Sequence, residues 1–233
     1  MISVVMPAFN EAEFLEAALR DIVAGLAARR LEAEILVVEN GSTDGTSALA
    51  ERLAGELPGV RALSLPRADY GAALKAGFLA ARGDVVANFD VDYYDLGFLD
   101  ATLALLSEDG PVIVVGSKRL EGADDQRAWP RRLITSVFGV VLRRCFGLGV
   151  SDTHGMKVMR RPPLVEVVER CRFGTDLFDT ELVLRAERAG LSVTEVPVSV
   201  RESRPSRTSI VRRAVRSVRG LVQLRLALRQ VGR

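Results

Sequence analysis

Residues 34–46, EILVVENGSTDGT, run from a short aliphatic segment straight into a polar turn that contains two glycines. An apolar run ended by turn-forming residues is typical of a buried strand. The polar residues that follow predict a tight turn and then a helix over 43–54. Free N–H groups at the start of such a helix suit an anion. The stretch therefore predicts a strand–turn–helix unit with a binding turn, although an ordinary connecting turn fits it equally well.

The same alternation recurs on both sides of this unit. Further aliphatic runs predict strands at 2–6, 60–65, 84–89 and 111–116. Apolar residues at helical spacing predict helices between them, at 11–28, 70–81 and 96–106. Strands that alternate with helices of this length indicate an α/β fold, with a mostly parallel central sheet flanked by helices on both faces.

The regular alternation stops after residue 116. Helices are predicted at 129–146 and 175–189, and strands at 155–159 and 193–200. The last strand contains Pro197, so we expect it at an edge of the sheet. Since the chain shows no internal repeat or linker, we expect a single domain over 1–208, followed by a basic amphipathic helix over 209–233.

Composition excludes several classes of protein. The chain has 233 residues, of which 48% are hydrophobic, and this suits a globular domain rather than a disordered chain. Two cysteines cannot form a disulfide framework. The first residues do not match the pattern of a signal peptide, so we expect none, and the sequence holds no charge-free apolar run long enough to span a bilayer. We therefore expect a cytoplasmic location, with peripheral binding to the inner face of the cell membrane as an option.

The net charge of +2 conceals an uneven distribution. Residues 201–233 hold ten arginines and one acid, Glu202, whereas the rest of the chain is acidic overall. A basic amphipathic helix of this kind predicts either an anionic membrane surface or a packing surface, such as a homodimer contact. Nucleic acid is not expected as a partner, because no aromatic platform or RNA-binding motif accompanies the arginines.

Two carboxylates follow the predicted fourth strand in the segment FDVD. Asp90 and Asp92 stand where a strand becomes a loop, so both can reach one ion. Hard oxygen ligands suit Mg²⁺ or Mn²⁺, and such an ion commonly bridges to substrate phosphates. A solvated loop is the alternative. The chain lacks the glycine-rich fingerprints of dinucleotide-binding and P-loop proteins, and its single histidine, His154, excludes a histidine-rich metal site.

Four segments, in this order, resemble family 2 glycosyltransferases of the GT-A fold: VVMPAFNE (4–11), VVENGSTDGT (37–46), GAALKAGF (71–78) and DVD (90–92). The resemblance implies an Mg²⁺ or Mn²⁺ ion on Asp90 and Asp92. It also implies a nucleotide-sugar site formed by Pro7, Ala8, Asn10, Glu11, Glu39, Asn40, Lys75, Asp90, Val91, Asp92 and Lys118. The Glu39–Asn40 pair departs from the family's usual Asp-Asp, which bears on contacts to the base and ribose.

Later segments are similar to polyprenyl-phosphate hexosyltransferases such as dolichyl-phosphate mannosyltransferase. They are GSKR (116–119), RR (131–132) and SDTHGMK (151–157). The resemblance implies an acceptor-phosphate site formed by Arg119, Arg131, Arg132, His154, Arg204 and Arg207, and catalytic roles for Asp92, Asp152 and Arg131. The family's closing GxSK is only loosely matched by PSRTS (205–209).

The predicted activity is therefore inverting transfer of a hexose from a nucleoside-diphosphate sugar of the GDP-mannose or UDP-glucose class to a polyprenyl or dolichyl phosphate at the membrane surface. One alternative is a glycosyltransferase with a soluble acceptor. Its acceptor hydroxyl would need a base, for which Asp152 is the candidate. The other alternative is a protein that binds sugar nucleotides without turnover.

Overall fold

A seven-stranded sheet forms the centre of the protein. The computed structural model describes residues 1–126, 129–174, 177–200, 220–221 and 223–226, and only the backbone of 125, 130, 131 and 134. The strands of the sheet are β1 (Ile2–Ala8), β2 (Ala33–Asn40), β3 (Val60–Leu65), β4 (Val85–Asn88), β5 (Ile113–Ser117), β7 (Lys157–Arg160) and β8 (Val193–Pro197). A separate parallel pair consists of β6 (Asp124–Asp125) and β9 (Ser199–Val200).

The strand order of the sheet is β3-β2-β1-β4-β7-β5-β8. All neighbouring pairs are parallel except those of β7, which runs antiparallel to both β4 and β5. The predicted mostly parallel sheet is thus confirmed. The predicted edge position of the strand that ends at Pro197 is also confirmed. Proline has no N–H group to donate to a neighbouring strand, and an edge strand tolerates this because one of its sides has no neighbour.

Helices cover both faces of the sheet, as predicted. They are α1 (Leu15–Ala28), α2 (Thr46–Glu56), α3 (Tyr70–Ala80), α4 (Leu96–Leu103), α5 (Trp129–Phe146), α6 (Val165–Arg170) and α7 (Phe178–Arg188). Val4 belongs to a buried cluster with residues of α1, α2 and α4, whereas Val5 belongs to one with residues of α3, α6 and α7. Successive strand residues point to opposite faces, so one apolar strand supplies both halves of the core.

The residues at which α2 and α3 begin are determined by the loops that precede them. The helix predicted from residue 43 begins at Thr46, because Gly45 takes a left-handed φ of 90° that a helix does not continue. Helix α3 begins at Tyr70, where the Asp69 side chain accepts a hydrogen bond of 3.0 Å from the N–H of Ala72. Gly77 lets α3 lie close on the sheet, since a Cβ there would be 2.4 Å from Val5 Cγ1.

Part of the carboxyl-terminal region packs against the domain. Within the predicted basic helix, residues 220–221 and 223–226 are helical, and the rest lies outside the described residues. Leu221 and Leu224 are buried in a third apolar cluster, together with Leu142 of α5 and Leu184 of α7. This supports packing for that short segment. Over the described part of the chain, no helix combines the length and apolarity needed to cross a bilayer.

Candidate active site

A cavity of about 350 Å³ opens at the carboxyl ends of β1, β2 and β4. Parallel strands end at the same edge of a sheet, and open α/β sheets bind ligands there. The residues lining the cavity are Pro7, Phe9, Glu11, Asn40, Ala68, Asp69, Tyr70, Asp90, Val91 and Asp92. The structure thus brings together six of the residues predicted for the nucleotide-sugar site: Pro7, Glu11, Asn40, Asp90, Val91 and Asp92.

The two aspartates of the DVD segment stand on a tight turn. The N–H of Asp90 donates to the carbonyl of Tyr93 at 3.0 Å, and the N–H of Tyr93 donates back to the carbonyl of Asp90 at 3.2 Å. This closed turn places the half-buried Asp90 and the exposed Asp92 on the same cavity. The Tyr70 hydroxyl donates to Asp90 Oδ1 at 2.9 Å, so the first residue of α3 orients a carboxylate that follows β4.

The pKa of Asp90 is unusually high for a carboxyl group. Burial raises its pKa to about 6, and the negative charges of Asp92 and Asp179 act in the same direction, whereas the hydrogen bond from Tyr70 and the charge of Lys157 oppose the rise. Concentrated negative charge of this kind is relieved by a cation. The cavity wall is therefore electrostatically suited to a positively charged ligand.

The carboxylates of Asp90 and Asp92 fit a divalent metal ion that shares its coordination with substrate. In the described ranges, no group of three or more His, Cys, Asp or Glu residues is arranged to hold a metal by itself. Mg²⁺ is commonly bound through one or two carboxylates, with phosphates and waters as the other ligands. Two hard oxygen donors in an open cavity match that pattern better than a closed structural site.

The loop formed by the segment ENGSTDGT (39–46) is hydrogen-bonded to the turn after β1. Backbone N–H groups of Asn10, Glu11 and Ala12 donate to side-chain oxygens of Ser42, Thr46 and Asp44 at 3.0, 2.9 and 3.2 Å, respectively. In return, the N–H of Thr43 donates to Asn10 Oδ1 at 2.9 Å. These bonds fix the turn after β1, from which Phe9 and Glu11 reach the cavity.

The predicted pair Glu39 and Asn40 divides between two environments. Asn40 lines the cavity. Glu39 is only 4% exposed, and its carboxylate accepts a hydrogen bond from the N–H of Ser42 inside its own loop. Glu39 therefore lies behind the residues that line the cavity, where it holds the turn, and its contact to a base or ribose stays a prediction.

Four other residues predicted for the nucleotide-sugar site also lie outside the cavity lining: Ala8, Asn10, Lys75 and Lys118. The ammonium group of Lys75 donates to the carbonyls of Glu169 and Cys171, at 2.8 and 2.7 Å, and so ties α3 to the end of α6. Ala8 is buried at the end of β1. Asn10 instead accepts the hydrogen bond from Thr43, and Lys118 lies close enough to Asp152 to act on its charge. The structure brings none of the four to the described cavity wall.

A second group of predicted residues surrounds Asp152. Asp152 is 5% exposed, its Oδ1 accepts a hydrogen bond of 3.0 Å from the N–H of His154, and its Oδ2 has no hydrogen-bond partner among the described residues. Burial opposes ionisation, but the positive charge of Lys118 and the bond from His154 outweigh it, so the pKa of Asp152 lies below its ordinary value. Glu195 accepts hydrogen bonds from the N–H groups of Ser151 and Asp152 and fixes their turn.

The predicted acceptor-phosphate residues fall beside α5 or outside the described residues. Arg119 donates from Nη1 to the carbonyl of Thr135 at 2.8 Å. The exposed His154 ring meets Phe138 edge to face, with 5.6 Å between centroids. Arg132 is exposed on α5 itself. Arg204, Arg207 and the side chain of Arg131 lie outside the described part, so their roles stay predictions.

Sequence reasoning missed three polar residues that support the cavity: Tyr70, Lys157 and Asp179. Lys157 Nζ lies 2.7 Å from Asp179 Oδ1, and the two side chains are 1% and 5% exposed. The charge of Lys157 lowers the pKa of both Asp90 and Asp152, so one buried lysine acts on both carboxylates. A lysine inside the apolar strand segment Met156–Met159 was the available signal, since buried charges need partners.

Comparisons with known proteins agree with this architecture. Residues 3–168 match the model of glycosyl transferase family 2. The chain is 39% identical over 201 residues to an uncharacterized glycosyltransferase of Mycobacterium tuberculosis, covering 85% of this chain and 84% of that protein. It is 31% identical over 222 residues to a dolichyl-phosphate beta-glucosyltransferase of Trichomonas vaginalis, covering 88% of this chain and 65% of the relative.

A solved structure shares the fold. It is glucosyl-3-phosphoglycerate synthase from Mycobacterium tuberculosis, in complex with Mn²⁺, UDP-glucose and phosphoglyceric acid. The TM-score is 0.62 at 24% identity, over 88% of this chain and 73% of that one. At this identity the likeness concerns the GT-A fold alone. The family match spans every strand of the sheet except β8 and includes the DVD segment. The chain therefore belongs to glycosyl transferase family 2.

Proposed function

We propose that the protein transfers a hexose from a nucleoside-diphosphate sugar to a polyprenyl phosphate, with inversion at the anomeric carbon. The observation that carries this proposal is the cavity at the carboxyl edge of the sheet, which Asp90 and Asp92 line together with Pro7 and Asn40. Polar and apolar walls of this kind suit a nucleotide whose diphosphate needs compensation of its charge.

The donor half of the proposal assigns a task to each wall of the cavity. Pro7 and Phe9 offer apolar surface to a base, and Asn40 offers an amide to the base or ribose. Asp90 and Asp92 would hold Mg²⁺ or Mn²⁺. When bound, such an ion supplies positive charge that stabilises a departing diphosphate. Tyr70 keeps the Asp90 carboxylate oriented toward that task through its hydrogen bond.

The acceptor half of the proposal is supported by the electrostatics of Asp152. A hydroxyl acceptor must lose its proton, and a general base works best when its pKa lies near the operating pH. The pKa of Asp152 is instead below its ordinary value, so this carboxylate is a weak proton acceptor. A phosphate monoester has a second pKa of about 6 and is already anionic at pH 7, so it can attack without a base.

Positive charges and a relative support the same acceptor. Lys118 and Arg119 follow β5 near Asp152, and exposed arginines continue along α5. Guanidinium and ammonium groups are the usual partners of phosphate. The Trichomonas vaginalis relative, 31% identical, is a dolichyl-phosphate glucosyltransferase.

A soluble acceptor is the second candidate, because Asp152 Oδ2 is buried and unpartnered among the described residues. Within the part of the chain that the structure describes, this oxygen lacks a hydrogen-bond donor, and the hydroxyl of an acceptor that reached it would supply one. The fold is also shared with an enzyme whose crystal contains phosphoglyceric acid, a small soluble molecule. On this view Asp152 would orient and deprotonate the acceptor.

A transfer assay distinguishes the candidates. The full chain is incubated with Mn²⁺ and radiolabelled UDP-glucose or GDP-mannose, in detergent, with polyprenyl phosphate, with the matched polyprenol that lacks the phosphate, or with soluble sugars and phosphoglycerate. We expect label on the polyprenyl phosphate and none on the polyprenol. Label on soluble acceptors alone would establish the second candidate. Donor binding without transfer or hydrolysis across the panel would indicate a sugar-nucleotide-binding protein instead.

A further inference from the structure

Helix α5 exposes an apolar stripe. Trp129, Leu133, Val137 and Val140 are between 38% and 74% exposed, although all four are large apolar residues. On a helix with 3.6 residues per turn, these positions fall within an arc of about 80°. They therefore form one continuous line along the helix, hereafter the α5 stripe, rather than scattered surface residues.

The α5 stripe is bordered by positive charge. Arg132, Arg143 and Arg144 are exposed on the same helix, and Arg144 continues the line of the stripe one turn beyond Val140. Helix α5 contains four arginines and no acidic residue. The charged residues beside this apolar line on the helix are all basic, which complements a surface that is apolar inside and anionic at its boundary.

The opposite side of α5 touches the residues around Asp152. Phe138 meets the His154 ring, and the carbonyl of Thr135 accepts the hydrogen bond from Arg119. Gly139 packs closely against the backbone of Ser151, since a Cβ at this position would lie 3.0 Å from the carbonyl oxygen of Ser151. The helix thus separates the predicted acceptor region from the α5 stripe by its own thickness, about 10 Å.

We propose that the α5 stripe docks the protein on the surface of an anionic lipid bilayer. The apolar side chains enter the boundary between head groups and acyl chains, where tryptophan is favoured, and the arginines contact the anionic head groups. The α5 stripe belongs to a different segment of the chain from the basic helix predicted over 209–233. The role assigned to this docking surface rests on the proposed function, because docking would hold the Asp152 region at the depth of a lipid phosphate. Membrane binding itself does not depend on sugar transfer.

A second copy of the chain fits the α5 stripe less well than a bilayer does. In a twofold interface the same patch meets itself, so the arginines of α5 would approach the arginines of its partner. No acidic residue on the helix could neutralise them. Anionic lipids neutralise each arginine instead, at about 1 kcal/mol per residue near the surface.

Vesicle binding by the full chain tests the proposal. Sedimentation is measured with vesicles of phosphatidylcholine alone and with vesicles that also contain phosphatidylglycerol. We expect binding mainly to the anionic vesicles. Leu133→Ser/Val137→Ser and, separately, Arg143→Gln/Arg144→Gln should each lower the partition coefficient about tenfold or more. All four side chains are exposed, so the variants should fold, as circular dichroism would show.

The matched control is Leu79→Ser/Leu105→Ser, which replaces two exposed leucines away from α5 and should leave binding unchanged. Unchanged binding in both α5 variants would overturn the proposal. So would a dimer, seen by light scattering, that the Leu133→Ser/Val137→Ser variant dissociates without loss of vesicle binding. Transfer to polyprenyl phosphate in detergent is measured in parallel. Its absence beside intact vesicle binding would refute the proposed function and leave the docking surface standing.

Discussion

Tyr70 and Asp90 are 20 residues apart in the chain, yet the Tyr70 hydroxyl donates a hydrogen bond of 2.9 Å to Asp90 Oδ1. Tyr70 is the first residue of α3, and Asp90 follows β4, so the bond joins a helix start to a strand end. It engages one carboxylate oxygen and thereby orients the other. The geometry of the DVD segment thus depends on how α3 packs against the sheet as well as on its own turn.

Replacing Tyr70 with Phe should weaken Mn²⁺ binding in the presence of UDP by about tenfold, because partners that orient a ligating group commonly contribute 10–100-fold to affinity. Mn²⁺ binding is followed by electron paramagnetic resonance. Tyr94→Phe is the control, since the Tyr94 hydroxyl also donates to a carboxylate, that of Asp21, at 2.9 Å but outside the cavity. Equal affinities in both variants would contradict a positioning role for Tyr70.

Asp92→Asn should lower Mn²⁺ affinity by more than about tenfold and abolish transfer while leaving the stability of the protein unchanged. The Asp92 side chain is exposed and lines the cavity, so its charge contributes to ligands rather than to the core. Asp109→Asn, at an exposed loop position, is the matched control. Full transfer activity in the Asp92→Asn variant would remove the metal role assigned to this residue.

Lys157→Met should destabilise the protein by about 3–5 kcal/mol, because it leaves the buried Asp179 without its cation. The free energy of unfolding in urea gives the measurement. The double variant Lys157→Met/Asp179→Leu should recover most of this loss, since it removes both charges.

The exposed pair Arg20–Glu16 provides the comparison for Lys157: Arg20→Met should lower the free energy of unfolding far less than Lys157→Met does, because water screens the exposed charges. A loss in Lys157→Met as small as that would show that the buried pair contributes little to stability.

The two cysteines should react with thiol reagents at very different rates. Cys145 is exposed, whereas Cys171 is buried, and burial together with the charge of Glu181 raises its pKa to about 12. A raised pKa keeps the Cys171 thiol protonated between pH 7 and pH 9, and the thiolate is the reactive form. An aromatic disulfide reagent should therefore titrate one thiol in the folded protein and the second only after unfolding.

Cys145→Ser is the control for the thiol experiment, because it should eliminate the fast reaction and leave the slow one. Fast reaction of two thiols in the folded wild-type protein would contradict the buried position of Cys171.

Much of the fold follows from local patterns in the sequence. Helix α5 was predicted with its observed bounds, because its apolar spacing is regular over 18 residues. The helix after β2 begins three residues later than predicted, since a single left-handed glycine, Gly45, decides where it can start. The short strand β6 was not predicted, because two residues carry no period. The single strand predicted over 193–200 is divided into β8 and β9, which belong to different sheets.

The carboxylates of the candidate site were visible in the sequence, but their partners were not. Asp90 and Asp92 could be identified because a polar pair directly follows an apolar strand. Tyr70, Lys157 and Asp179 come from other elements, and no spacing rule relates them to residue 90. Likewise, the sequence placed Glu39 beside Asn40 but could not show that only Asn40 lines the cavity.

The sequence by itself determined the alternating elements, the mostly parallel sheet and the acidic turn after β4, because burial and turn formation depend on neighbours a few residues away. Only the tertiary structure decided that β7 lies antiparallel between β4 and β5, which pairs Lys157 with Asn88 and lets its charge act on Asp90. Strand order depends on pairing between segments distant in the chain. The α5 stripe also depends on the tertiary structure, because the exposure of an apolar residue is set by how all the other elements pack around it.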